Sequence, residues 1–207
     1  HPVRLIVDDD RRRSRLTVFF RWLLSIPHFI WLVLWGIVAA VAVLINWIAT
    51  LIGGRSPEGL HAFLVKYVRY QTHVSAYAML VANRFPGFAG EPYDVDVDVW
   101  PAGTQNRWIT GFRIILAIPT WLILGALYGA IFLVALLGWF VSLITGEMPE
   151  GLRNLGAYTL RYAAQVNAYM YVLTDVYPYS GPAVGDAPGA LDGGASPELS
   201  TESPSTA

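Results

Sequence analysis

Cysteine is absent from this 207-residue sequence and histidine occurs only four times. The first absence removes disulfides and thiolate metal sites, though it does not decide the compartment. The histidines, at positions 1, 28, 61 and 73, have no helical metal spacing, so no metal or cofactor is expected. Charge is scarce as well, at 14% against about a quarter in soluble domains. There is no P-loop, no dinucleotide fingerprint and no G-x-S-x-G. The acidic clusters at residues 8–10 and 94–98 lack a histidine partner, so an enzyme is the least favoured class and no catalytic residue is expected. Basic residues gather beside apolar segments rather than on an aromatic platform, which argues against nucleic acid.

What remains is apolar. Hydrophobic residues make up 55% of the chain, and mean hydropathy is positive. Two runs, residues 17–53 and 109–146, each exceed the roughly 20 residues that one membrane helix needs. Both are longer than the about 7–15 apolar residues of a signal peptide, and one is internal. The composition predicts an integral membrane protein.

The sequence also repeats itself. SPEGL, from Ser56, returns as MPEGL, from Met148, at an offset of 92. FFRWLLSIP, from Phe19, lies over GFRIILAIP, from Gly111, and VRYQTHVSAY, from Val68, over LRYAAQVNAY, from Leu160. Trp47 falls on Trp139, Arg15 on Arg107, and NRFP on DVYP, from Asp175. Such gapless self-similarity marks a tandem structural repeat. We divide the chain into repeat 1 (1–90), repeat 2 (91–180) and a tail (181–207) rich in Gly, Pro, Ala and Ser that reads as disordered.

FRxxLxIP, an apolar run, GxxPEGL and then RY…NAYxYxLTDxYP resemble the bacterial membrane proteins catalogued as domain of unknown function 4389, in two copies. The resemblance implies a bacterial membrane location and carries over no activity and no catalytic residue. Repeat 1 departs from the pattern at Ser75, where repeat 2 has Asn167, and at Asn83, where it has Asp175.

Each repeat opens with valine-rich alternation, VRLIV and VDVDV, which predicts a short strand. The two strands are expected to pair into a ribbon, with Asp94, Asp96 and Asp98 on one face. That face reads as solvated and attracted to arginines rather than as a calcium site. An apolar run of roughly 35 residues is about 52 Å as one straight helix, against a ~30 Å hydrocarbon core. We expect a transmembrane helical hairpin in each, residues 17–53 and 109–146, with tips near Trp35 and Gly36 and near Tyr128 and Gly129. The rival is an interfacial helix ending at Ile26 or Ile118, then one long span with Pro27 or Pro119 in its first turn. Positive charge on one side favours the hairpin. PEGL then starts an amphipathic helix, 57–82 and 149–174, expected to lie in the interface.

The fold class expected is therefore an all-α integral membrane protein of two tandem repeats, each a short strand, a hairpin and an interfacial helix. Its expected place is the bacterial inner membrane, multi-pass, with the basic N-terminus cytoplasmic. The functional expectation is a non-catalytic accessory or scaffold subunit of a larger membrane complex, with other membrane subunits and anionic phospholipid as partners. Membrane shaping and a small channel or transporter are the alternatives. Candidate lipid or partner contacts are Arg15, Arg21, Arg69, Tyr70, Arg107, Arg113, Arg161 and Tyr162.

Overall fold

The computed structural model describes residues 1–8 and 13–181. The readings made for Asp9, Asp10, Arg11, Arg12 and residues 182–207 of the tail lie outside these. In chain order the elements are β1 (Val3–Val7), α1 (Arg15–Gly53), α2 (Glu58–Ala78), β2 (Val95–Val99), α3 (Arg107–Leu116), α4 (Ile118–Thr145) and α5 (Glu150–Met170).

The hairpins are not formed. Trp35 and Gly36 lie in the middle of the unbroken helix α1, and Tyr128 and Gly129 lie inside α4. Neither site offers a turn-forming run, and a single glycine in a helix costs only about 1 kcal/mol against alanine. In repeat 2 the helix breaks beside Ile118, where the rival reading placed a break: α3 stops at Leu116 and α4 restarts with Pro119 in its first turn. Proline lacks the N–H that would continue the backbone ladder. Repeat 1 carries the equivalent Pro27 within α1. There Ser25 Oγ donates to Arg21 O at 2.8 Å, a bond that the equivalent Ala117 cannot make.

α2 runs back along α1. Ser56 Oγ donates to Asn46 Oδ1 (2.7 Å) at one end, Trp35 packs on Phe63, Tyr67 and Tyr70 in the middle, and Arg21 reaches Tyr77 O (2.9 Å) at the other. The apolar stripe of α2 and that of α5 face each other and the rest of the fold. Leu64, Val68, Tyr70, Leu160, Tyr162 and Ala164 are all buried. The expected interfacial helices are instead the centre of the molecule. They also end earlier than expected, because the chain turns at Leu80 and Val172, both at φ 62°.

The two repeats are joined by paired contacts that obey the same offset. β1 and β2 pair antiparallel in a two-stranded ribbon, with Leu5 opposite its own equivalent, Val97. Arg13 N donates to Gly146 O (2.9 Å), and Gln105 N to Gly54 O (2.8 Å). Trp47 Nε1 donates to Thr110 O, and Trp139 Nε1 to Val18 O, both at 2.8 Å. Residue i of one repeat thus meets j of the other, and j meets i. That is the signature of an isologous, two-fold interface, here within one chain. It sets α1 antiparallel to α3–α4. The ribbon packs on α2 and α5, and these pack on α1 and α4, giving three layers.

Glycine is required at the two handshake loops. Gly54 and Gly146 end α1 and α4 in the left-handed region, at φ 72° and 80°. An alanine at either would meet no atom closer than 3.7 Å, so its cost is backbone strain alone. Gly54→Ala and Gly146→Ala should each destabilise by about 1 kcal/mol, read as equal drops in thermal midpoint in detergent.

Candidate functional site

The arginine of each FR motif is an internal clamp. Arg21 and Arg113 are each about 1% exposed. Arg21 Nη1 donates to Tyr77 O and Ala82 O, both at 2.9 Å, and its guanidinium sits 4.5 Å from the centre of the Tyr77 ring. Arg113 repeats this on Tyr169 O and on Thr174 O (2.9 Å), with its guanidinium 4.5 Å from the Tyr169 ring and Nη2 on Gln105 Oε1 (2.9 Å). Each cation therefore bridges a last-turn carbonyl of α2 or α5, which also accepts from the turn (Leu80 N or Val172 N, 3.2 Å), to a carbonyl four residues beyond the helix, at the negative end of the helix dipole. These two residues are not lipid contacts as expected from sequence. They cap helices from a neighbouring element.

The turns beyond those helices are held from the other repeat as well as from within. Arg13 Nη2 donates to Leu80 O (3.0 Å) and Val81 O (3.2 Å). Gln105 Nε2 donates to Val172 O (2.8 Å), and Asn46 Nδ2 to Tyr171 O (2.9 Å). Asn46 has Gly138 as its equivalent, and there Met148 fills the space above the glycine.

Arg69 and Arg161, matched by sequence, sit in different surroundings. Arg69 pairs with the Asp96 carboxylate, and Asp96 Oδ1 also accepts from His73 Nε2 at 2.9 Å. Asp96 lies on the ribbon and its repeat 1 equivalent is Arg4, so this triad exists once. Burial alone would push the Asp96 carboxyl up. Hydrogen bonds from His73, Arg69 and its neighbour's N–H outweigh that and hold it well below the usual carboxylate range. The bond to Asp96 raises Arg69 against its own burial. The expected solvated acidic face is thus partly drawn inward: Asp96 is engaged, while Asp98 is exposed. Arg161 donates to Gly181 O (2.9 Å), with its guanidinium 5.3 Å from the centre of the Tyr158 ring.

Tyr70 and Tyr162, the partners of those arginines in sequence, are fully buried and contact protein rather than lipid. Tyr70 Oη pairs with His28 Nδ1 at 2.8 Å, and burial raises its hydroxyl. Tyr162 is pushed up to about 12, by burial first and then by Tyr177 and Tyr158. Of the eight candidates, Arg15 and Arg107 are exposed, and they sit at equivalent places beside Gly146 and Gly54. Arg69 and Arg161 are half-buried. The candidates therefore do not converge on one site. Among the described residues no group of three or more His, Asp or Glu is placed to hold a metal ion. A cleft of about 210 Å³ opens beside the ribbon, lined by Trp100, Gln105, Thr174 and Asp175. The cross-repeat bonds of Arg13, Gln105 and the two tryptophans escaped sequence reasoning. The offset that pairs 13 with 105 and 47 with 139 was the available signal.

The family model described as "Domain of unknown function (DUF4389)" matches residues 15–89 and 107–180, and the chain belongs to that family, in two copies. No curated protein matches the chain, and no solved structure does. Each matched unit is one long apolar helical segment with its returning helix. The strands that form the ribbon fall outside both matches.

Arg21→Met and Arg113→Met should each destabilise by about 2 kcal/mol, since the carbonyl of Ala82 or Thr174 loses its donor while that of Tyr77 or Tyr169 keeps its backbone N–H. Lysine at either position should restore less than half, because it lacks the planar fork. Thermal unfolding in detergent measures both. Asp96 has its folded pKa below its unfolded value of about 4, so its contribution is present above pH 4 and lost as pH falls further. Asp96→Asn should therefore remove part of the acid sensitivity in unfolding followed from pH 6 down to pH 2.

Proposed function

We propose that this protein is a non-catalytic membrane scaffold, an accessory subunit embedded through α1 and α3–α4 that packs against a larger membrane complex and anionic phospholipid. The observation that carries this reading is an inverted polarity. α1 turns Arg21, Ser25, His28, Asn46 and Thr50 inward, along with small residues, and keeps Phe19, Leu23, Ile30, Leu34, Val41 and Ile45 exposed. Exposed apolar side chains surround the helix on every side but that one stripe. A soluble helix has the opposite arrangement.

α1 and α4 are long and apolar enough to cross a membrane, with mean hydropathy of 2.5 and 2.3 over their most apolar stretches. Only 17% and 22% of those stretches are buried, so neither resembles the core helix of a soluble protein. Soluble monomers rarely expose apolar patches beyond about 300–600 Å², and here three helices are coated along their length. Exposed Arg15 and Arg107 supply the positive charge for phospholipid headgroups, on the order of 1 kcal/mol each. The transport alternative is disfavoured because Arg69 and Arg161 point to different partners and share no path. Membrane shaping remains the second reading, favoured by the layer order, which puts the apolar helices on one face.

The test is purification from native membranes in mild detergent, followed by mass spectrometry of co-migrating material. Recovery in fixed stoichiometry with other membrane subunits supports the scaffold reading. Recovery with lipid alone overturns it in favour of bilayer shaping, and extraction without detergent overturns membrane embedding altogether.

A further inference from the structure

We infer that the protein occupies a single leaflet, with α1 and α3–α4 lying in the membrane plane and the ribbon facing water, rather than crossing the bilayer. The inference rests on the membrane embedding proposed above and concerns its geometry. Its partner is the acyl-chain region of one phospholipid monolayer.

Three observations carry it. The first is the position of the ribbon. α2 runs beside residues 21–46 of α1, and Arg69 and His73, near its midpoint, hold Asp96 of β2. Were α1 to stand upright across the bilayer, the ribbon would lie at mid-depth. An open two-stranded ribbon with exposed Arg4 and Asp98 cannot sit there, since lipid leaves strand edges unpaired and charges unsolvated.

The second observation is length. The apolar coat of α1 runs from Leu16 to Ile52, which are 70% and 71% exposed. At 1.5 Å per residue the 39-residue helix is about 58 Å long, nearly twice the ~30 Å core. Upright, one end or both would push exposed Leu, Phe and Ile into headgroups and water. Lying flat, a helix about 10–12 Å across fits the about 15 Å depth of one leaflet over its whole length.

The third observation is symmetry. The pseudo-two-fold axis passes between Leu5 and Val97 and relates α1 to α3–α4 with opposite direction. Along this axis the layers run from the charged ribbon through α2 and α5 to the apolar pair. The molecule therefore has one polar pole and one apolar pole, on the axis itself. Only an axis along the membrane normal puts the first in water and the second in lipid.

The chain has no cysteine, so single-cysteine variants need no background removal. Leu16→Cys, Val33→Cys and Ile52→Cys carry an environment-sensitive fluorophore in vesicles of phosphatidylcholine and phosphatidylglycerol containing nitroxide lipids at graded depths. Arg4→Cys, Arg15→Cys and Arg55→Cys are reacted with a membrane-impermeant maleimide before and after lysis. In one leaflet, the three fluorophores are quenched best at the same depth, and the three arginine positions react to the same fraction before lysis. A deep maximum for Val33 with shallow ones for Leu16 and Ile52, and complementary fractions for Arg15 and Arg55, would overturn the single-leaflet geometry while leaving membrane embedding intact. Lipid quenching at none of the three sites would overturn both. In that case a larger particle in detergent would assign the apolar face to protein partners or to a second copy.

Discussion

A buried guanidinium at the end of a helix is the constraint on which the rest of this molecule depends. α2 and α5 end inside the protein in turns that pair their last carbonyls with backbone N–H groups, and the carbonyls of Ala82 and Thr174 just beyond need a donor from elsewhere, since unpaired buried carbonyls are costly. Arg21 and Arg113 answer that need from α1 and α3, each with a tyrosine ring against the cation. Because the donor stands on one element and the acceptors on another, the contact also fixes the distance and angle between α1 and α2 and between α3 and α5. The FR motif of each repeat and its distant tyrosine are thus two halves of one joint.

Around these joints the polarity of α1 and α4 follows. The inner stripe has to carry polar and small residues, because it meets helix ends, a histidine–tyrosine pair and closely packed neighbours. The outer surface has no such task and is free to be wholly apolar. A chain with 14% charged residues can therefore still bury arginines, asparagine and histidine while exposing leucine and phenylalanine. The inward polar residues rigidify the fold, and the outward apolar ones choose its solvent.

Much of this was legible in the sequence. The offset that places Val3 over Val95 marked both strands, and their alternation marked which residues face inward. PEGL located the starts of α2 and α5 to within a residue, because proline in a first turn and glutamate at a helix N-terminus are local chemistry. The hairpins were illegible for a reason of scale. Length and hydropathy say how much apolar surface a segment has, and they do not say whether it stands, folds or lies down. The role of Arg21 was hidden because its partners, the carbonyls of Tyr77 and Ala82, belong to the backbone and leave no trace in side-chain pattern. The Arg69–His73–Asp96 triad was hidden because it breaks the repeat: Arg4 stands where the second aspartate would be, so the offset pointed away from it.

The reciprocal contacts between the repeats have a consequence for how such a chain comes together. Two separate copies of one repeat would meet at a rate set by their concentration. Joined by residues 79–94, the connection between α2 and β2, each meets the other at an effective concentration of about millimolar, whatever the expression level. Tethering also releases the halves from having to match themselves. Asn46 and Ser56 can serve one loop while Gly138 and Met148 serve the other, and an aspartate can face an arginine and a histidine on one side only. A self-matching pair of separate chains would have to accept every such change twice.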